Sequence, residues 1–262
     1  CPDGGGLRVF RLGLLEKGEE RQEGELTMDG NILEVQNLSA WYSQGKNVLS
    51  GFSLQLRPHE VVGLIGLNGA GKTTFLKTLS GLHEGFRCDS IRLNGQTVGF
   101  RDKGFKLRRY TVFAEDNSFQ YFTFREYLSY AAAAYKMKLP DVAELVRGFH
   151  FEDYTDTLLK DLSTGNKKKA FLITAFALKR PLLLLDEPVN GLDFQSTEYL
   201  YQLIAGYKEY GTVLFSSHIL ESITLTSDRV LVLEDGQIRR SFEGGEINAA
   251  NIREALHDEN EL

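Results

Sequence analysis

The residues with the clearest chemistry lie between Gly66 and Thr73, where the sequence reads Gly-Leu-Asn-Gly-Ala-Gly-Lys-Thr. This spacing matches the phosphate-binding loop, in which backbone N–H groups at a helix start surround phosphate oxygens. Lys72 supplies a positive charge for the terminal phosphates, and the Thr73 hydroxyl is placed to bind Mg²⁺. The pattern therefore predicts a site for a nucleoside triphosphate with magnesium. The predicted nucleotide-binding residues here are Asn68, Gly69, Ala70, Gly71, Lys72, Thr73 and Thr74.

The segments on either side of this loop fit the motif. An apolar run at Val61–Ile65 precedes it, and Lys72–Ser80 reads as a helix that ends before Gly81. A glycine-rich turn between a strand and a helix is the context that a phosphate-binding loop requires. We therefore expect a strand, the loop and a helix in direct succession.

Strands and helices alternate in the second half of the chain, which implies a parallel sheet with right-handed crossovers. Further strands are predicted at 32–38, 52–56, 182–186, 212–216 and 229–233, with hairpins within 82–113. Helices are predicted at 124–147, interrupted by Pro140, and at 166–179, 196–207 and 219–226. The predicted fold class is α/β, a P-loop NTPase with a mostly parallel sheet flanked by helices. An antiparallel β subdomain and a short helical subdomain at about 123–179 complete it.

Two carboxylates end the apolar strand Leu182–Asp186. Ligands bind beyond the carboxyl ends of parallel strands, so Asp186 is expected where the phosphate-binding loop holds Mg²⁺. Glu187 follows directly and is predicted to orient or deprotonate a water molecule that attacks the terminal phosphate.

Three further segments resemble motifs of one family. Leu162–Asn166, which reads Leu-Ser-Thr-Gly-Asn, is similar to the signature Leu-Ser-Gly-Gly-Gln of the ATP-binding cassette (ABC) family, with Thr164 and Asn166 as departures. The segment Asp186–Asp193 resembles its Walker B motif and D-loop, and Ser216–His218 its H-loop. The resemblance covers roughly residues 30–240, with every motif in order.

This resemblance implies an ATPase that works as a dimer with a second copy or a related subunit. Two ATP molecules would lie between the phosphate-binding loop of one protomer and the Ser163–Gly165 edge of the other. An aromatic residue near the start of the domain would stack on adenine, and Tyr42 is favoured over the adjacent Trp41. His218 would hydrogen-bond the γ-phosphate.

The Q-loop of the family is the clearest departure. Its glutamine, which contacts Mg²⁺ and water, aligns best with Glu115, and Gln120 is the less favoured candidate. A carboxylate oxygen can also coordinate Mg²⁺. We therefore predict Thr73, Asp186 and Glu115 as metal ligands.

As implied by the family, the leading interpretation is the ATP-hydrolysing subunit of a membrane transporter, held at the cytoplasmic face of the inner (plasma) membrane by a separate transmembrane permease. The alternative is a non-transport ABC ATPase acting on ribosomes or DNA, but such relatives usually carry two cassettes or a long coiled-coil insertion. A GTPase would need an Asn-Lys-x-Asp motif, and Asn166–Lys169 lacks the Asp.

Composition limits the partners. The 262 residues carry a net charge of −6, which argues against nucleic acid as the main partner. The longest apolar runs, such as Ala170–Leu178, fall short of the roughly 18 residues of a membrane-spanning helix. Residues 1–27 are rich in glycine and charge and are predicted to be a disordered leader, so the domain would span 28–262. The run Lys167–Lys169 is interpreted as a solvated helix face.

Overall fold

The computed structural model describes residues 30–43 and 45–257, so the predicted leader lies outside the described residues. The strands are β1 Leu33–Ser43, β2 Lys46–Leu56, β3 Val61–Ile65, β4 Phe86–Arg87, β5 Ser90–Leu93, β6 Gln96–Thr97, β7 Arg109–Val112, β8 Leu182–Asp186, β9 Thr212–Ser217, β10 Arg229–Glu234 and β11 Gln237–Glu243. The α-helices are α1 Lys72–Leu79, α2 Lys103–Arg108, α3 Phe124–Ala134, α4 Ala143–Gly148, α5 Thr164–Leu178, α6 Phe194–Gly206, α7 Leu220–Thr226 and α8 Ala249–His257. Short 3-10 turns lie at Glu152–Tyr154, Leu159–Asp161, Tyr207–Glu209 and Gly244–Glu246.

The larger sheet carries the phosphate-binding loop. Its strand order is β11-β10-β3-β9-β8-β7, and every neighbouring pair is parallel except β10 and β11. Asp235 and Gly236 connect that last pair with positive φ angles of 45° and 74°, as a tight hairpin turn requires. The predicted mostly parallel α/β sheet is confirmed, and β3 and β8 bring their carboxyl ends to the same edge.

A second, antiparallel sheet has the order β2-β1-β5-β6, with β4 also paired to β1. Its first two strands are longer than the predicted 32–38 and 52–56. Register shifts between β1 and β2 let the pairing continue past Leu38 to Ser43, because a bulge absorbs an extra residue without ending a strand. This extension carries Tyr42 to the end of β1.

Side chains of the central strands alternate between two apolar cores. Leu183 and Leu185 of β8 belong to a core that also contains the buried side of α5, whereas Leu182 and Leu184 belong to a core shared with α1 and the antiparallel sheet. Central parallel strands are buried on both faces, which explains the uninterrupted run of leucines. The strand that ends in Asp186 is therefore fixed from both sides.

Residues 82–113 are only partly the predicted hairpins. β5 and β6 form one, but Lys103–Arg108 is a helix and Arg109–Val112 is the parallel edge strand of the larger sheet. Four residues are too short to show a periodicity that separates hairpin from parallel strand.

The helical pattern over 124–147 is divided near Pro140, as predicted. α3 ends at Ala134 and α4 begins at Ala143, with Pro140 between them. A proline disfavours helical geometry at the residue before it, which accounts for the break. The proposed boundaries of a helical subdomain at 123–179 stay a prediction. Over residues 30–43 and 45–257, none of the helices combines the length and apolar character that crossing a membrane demands.

Candidate nucleotide site

The phosphate-binding loop closes tightly between β3 and α1. Gly71 precedes the helix with φ 109°, a left-handed conformation that favours glycine, and a Cβ there would lie 2.7 Å from a methyl carbon of Leu49. Lys72 Nζ folds over the loop and donates to the carbonyl oxygens of Gly66, at 2.7 Å, and Leu67, at 3.3 Å. The lysine is thus held above the loop whose N–H groups would face phosphate oxygens.

Asp186 joins this loop to the central strands. Its Oδ1 accepts hydrogen bonds from Thr73 Oγ1, at 3.1 Å, and from Ser216 Oγ, at 2.7 Å. Asp186 is 1% exposed, and within the described part of the chain its Oδ2 has no hydrogen-bond partner. A buried carboxylate oxygen left over beside a threonine hydroxyl is a hard oxygen pair that suits Mg²⁺.

Glu187 lies between two basic side chains. One carboxylate oxygen is 3.7 Å from Lys72 Nζ and the other is 2.8 Å from His218 Nδ1. Its backbone has φ 46°, uncommon outside glycine, and its N–H donates to Ser216 Oγ at 3.0 Å. Such strained conformations persist where the surroundings fix them, and they concentrate at functional sites. The structure therefore brings together three of the predicted site residues, Lys72, Glu187 and His218.

Tyr42 reaches the helix that follows the loop. Its hydroxyl accepts a hydrogen bond from Thr74 Oγ1 at 3.3 Å, and its ring meets the ring of His83 edge to face at 4.8 Å. The side chain is 64% exposed. Trp41 instead lies beside Gly85: its backbone N–H donates to the Gly85 carbonyl oxygen at 2.8 Å, and a Cβ on Gly85 would lie 3.1 Å from the Trp41 ring. Tyr42 is thus the exposed aromatic ring beside the phosphate-binding helix.

The signature-like segment forms the start of α5. Ser163 is the N-cap, and its Oγ accepts from the Asn166 N–H at 3.2 Å, as expected for a capping serine. A Cβ on Gly165 would lie only 2.3 Å from the carbonyl oxygen of Gly191, so no side chain fits there. Gly165 is therefore packed on the segment after β8, and the exposed Ser163 lies two residues before it.

Glu115 is placed in an exposed loop after β7, and the structure gives it no hydrogen bond to Thr73 or Asp186. In residues 30–43 and 45–257, no group of three or more His, Cys, Asp or Glu side chains could hold a metal ion. Mg²⁺ often uses one or two carboxylates and completes its coordination with phosphate oxygens and water. Glu115 as a ligand stays a prediction.

The interpretation of Lys167–Lys169 as a solvated face is wrong for two of the three residues. Lys168 is 3% exposed and Lys169 is 5% exposed. Lys168 Nζ donates to the carbonyl oxygen of Phe113 at 2.8 Å, and Lys169 Nζ to Asp193 Oδ2 at 2.6 Å. The sequence does carry a signal for this burial. The residues that follow, Ala170–Leu178, are almost all apolar, which indicates a helix that is buried on every side.

Both contacts have electrostatic consequences. Burial lowers the pKa of Lys168 to about 8, although four surrounding carboxylates oppose that shift, those of Asp186, Glu187, Asp116 and Glu115. The hydrogen bond from Lys169, together with those from Ser196, holds the pKa of Asp193 well below its usual range.

A phosphate-binding loop after a central parallel strand, faced by a buried Asp–Glu pair, defines a P-loop nucleoside triphosphatase. Comparisons with known proteins identify its family. The family model described as ABC transporter matches residues 49–190.

Relatives cover nearly the whole described chain. A putative ABC transporter ATP-binding protein of Bacillus subtilis (strain 168), AlbC, is 34% identical over 82% of this chain and 93% of its own length. The SkfA peptide export ATP-binding protein SkfE of the same strain is 32% identical over 80% and 89%. A solved structure of the ATP-binding subunit of an ABC transporter, 30% identical, matches with a TM-score of 0.73 over 81% of this chain and 90% of that one.

The chain belongs to the ABC transporter family. It is an ATP-binding subunit, and its activity is ATP hydrolysis that powers a transporter.

Replacing Ser216 by alanine tests the connection between the two carboxylates. The change removes the donor to Asp186 and the acceptor of the Glu187 N–H, and leaving buried polar groups unpaired should lower the free energy of unfolding by about 1–3 kcal/mol. Urea unfolding measures the difference. The exposed Ser241→Ala change is the control, expected to stay within about 0.5 kcal/mol of the parent. An equal effect of both changes would contradict the interpretation.

Proposed function

We propose that this chain hydrolyses ATP as one of a pair of ATP-binding subunits and drives a transmembrane permease formed by a separate chain. The observation that carries the proposal is the meeting of Lys72, Glu187 and His218 at the carboxyl ends of the central strands. These groups supply a cation for phosphate, a base for water and a second donor toward the terminal phosphate.

In the proposed reaction, Glu187 accepts a proton from a water molecule as the water oxygen attacks the γ-phosphorus. The bond to the β-phosphate oxygen breaks, and ADP and phosphate leave. Lys72 balances charge on the phosphate oxygens, and His218 directs Glu187 through its Nδ1 contact and reaches the γ-phosphate with its other nitrogen. Tyr42 stacks on adenine at the exposed end of β1, while the Asn68–Thr74 segment surrounds the phosphates.

Thr73, Asp186 and Glu115 are the proposed ligands of Mg²⁺. Asp186 Oδ2, which has no hydrogen-bond partner among the described residues, and the Thr73 hydroxyl would supply hard oxygen donors, and Glu115 would contribute from the exposed loop after β7. When bound with ATP, Mg²⁺ would neutralise charge on the β- and γ-phosphates.

The second subunit would complete each site. Ser163 at the start of α5 and the tightly packed Gly165 present a hydroxyl and backbone N–H groups at a helix N-terminus, an arrangement that favours phosphate oxygens. The partner is either a second copy of this chain or a related ATP-binding subunit.

The permease would hold this chain peripherally at the cytoplasmic face of the inner (plasma) membrane. Names of relatives support a transport role, since SkfE is described as a peptide export protein and a similar protein of Aeropyrum pernix as a phosphate import protein. The proposed domain is 28–262, with residues of about 123–179 as its helical subdomain and the permease-facing side next to Glu115. Nucleic acid is not an expected partner.

Glu187→Gln keeps the shape of the side chain but removes the base. ATP binding should be retained while the rate of hydrolysis falls on the order of 10²–10⁴-fold, the scale of a lost general base. Phosphate release and equilibrium binding of a fluorescent ATP analogue measure the two effects. Near-normal turnover would remove Glu187 from this role.

Mixing two inactive variants tests the shared site. Lys72→Ala damages the phosphate-binding loop, and Ser163→Arg blocks the edge offered to the partner. In a mixed dimer, the loop of the Ser163→Arg protomer faces the intact edge of the Lys72→Ala protomer. Random pairing of a symmetric dimer should therefore restore about a quarter of the parent activity. A mixture that stays inactive at every protein concentration would contradict the sandwich arrangement.

Affinity purification from detergent-solubilised membranes tests the transport role. A polytopic chain should accompany the tagged protein in fixed ratio and remain through a wash in moderate salt, because a specific interface does not depend on exposed charges alone. Recovery of ribosomal proteins or DNA in that ratio would support the non-transport alternative.

A further inference from the structure

Lys168 is a buried cation that the proposed reaction does not use. It lies in the second turn of α5, and its Nζ donates to the carbonyl oxygen of Phe113 at 2.8 Å. Phe113 is the first residue after β7 and stands two positions before Glu115. The contact therefore joins the helix that begins at Ser163 to the loop that carries Glu115.

A buried ammonium group is retained only where partners compensate the loss of water. The Phe113 carbonyl is one such partner, and nearby carboxylates supply an attractive field. A hydrogen bond with a charged donor is stronger than a neutral one. Loss of the Lys168 donor should therefore weaken the attachment of the Phe113 carbonyl group to α5.

Among the described residues, Lys168 is the α5 side chain with a hydrogen bond to this loop. Residues 113–117 line a cleft of about 180 Å³ together with four residues of α5, which are Thr164, Lys167, Lys168 and Phe171. The hydrogen bond from the Ser118 N–H to Asp116 Oδ1 stays within this segment. The hydrogen bond from Lys168 of α5 to the Phe113 carbonyl oxygen, in contrast, joins this segment to another element.

Lys169 makes a parallel connection from the same helix. Its Nζ bonds Asp193, which caps α6 through the Ser196 N–H. Consecutive lysines therefore connect α5 to the loop after β7 and to the segment after β8. The start of the same helix is the edge proposed to meet the partner's nucleotide.

We infer that Lys168 is a positioning residue that holds the Phe113–Asn117 loop against α5, so that the place of Glu115 depends on the helix that begins at Ser163. The inference rests on the role proposed above for Glu115. Because its Nζ is engaged with a backbone carbonyl, Lys168 acts on the reaction through that loop.

Hydrogen exchange of the intact protein tests directly whether Lys168 holds the Phe113–Asn117 loop against α5, and the measurement does not depend on ATPase activity. Lys168→Met keeps an unbranched apolar side chain, one atom shorter than that of lysine, and removes the donor. Exchange of the hydrogen-bonded amides in and next to the loop, those of Ser118 and of strand β7, should therefore speed up roughly 10- to 100-fold, while residues 66–73 keep the parent rate. Lys168→Arg retains a charged donor and should stay near the parent. Lys167→Met removes the same charge from the neighbouring, half-buried position and should leave the loop unchanged.

Unchanged exchange in Lys168→Met, or equal loosening in Lys167→Met, would overturn the inference. If Lys168→Met does not fold, Lys168→Leu, which also lacks a hydrogen-bond donor and suits a buried helix position, carries the same expectations.

A second measurement separates this inference from the role of Glu115. In Lys168→Met, the Mg²⁺ concentration for half-maximal ATP hydrolysis should rise about tenfold, the scale of one lost charged hydrogen bond, with ATP affinity in EDTA unchanged. If the loop loosens while the Mg²⁺ dependence stays at the parent value, the hold of Lys168 stands and the metal role of Glu115 is wrong.

Discussion

The buried carboxylate of Asp186 accepts hydrogen bonds from the hydroxyl groups of Thr73 and Ser216, and the geometry of the site depends on these two hydrogen bonds. Oδ1 thereby joins the first turn of α1 to the end of β9, while Oδ2 has no hydrogen-bond partner among the described residues. Glu187 is the next residue in the chain, and its backbone N–H donates a hydrogen bond to Ser216 Oγ. A buried charge is tolerated only with such compensation, so the position of the phosphate-binding loop and that of the proposed base are set by one group.

The sequence predicts much of this arrangement because its signals are local. A glycine-rich turn with Lys72 and Thr73 between a strand and a helix defines the phosphate site, and an apolar run ending in Asp186 defines a central strand. Parallel topology then requires that these ends meet at one edge of the sheet, as they do. The phosphate-binding loop and the position of Asp186 can therefore be predicted, because they depend on residue types within short segments and on one rule of sheet topology.

The features that escaped prediction are set by contacts between distant segments. The burial of Lys168 and Lys169 follows from β7 and the segment after β8 packing on α5, which no three-residue pattern reveals. Arg109–Val112 is a strand of the larger sheet because β8 pairs with it. The length of β1 likewise results from bulges against β2. Tertiary context overrides local propensity in each case.

The leucines of β8 contribute alternately to both apolar cores, and this sharing has a thermodynamic consequence. Neither core can open without exposing one face of the strands that also line the other, so the two layers form a single cooperative unit rather than separate foldons. Asp186 lies at the end of a strand in that unit, whereas Tyr42 and Ser163 are at solvent-exposed margins. Local opening should therefore reach the surroundings of Tyr42 and Ser163 at a lower free-energy cost than it reaches Asp186 and Glu187.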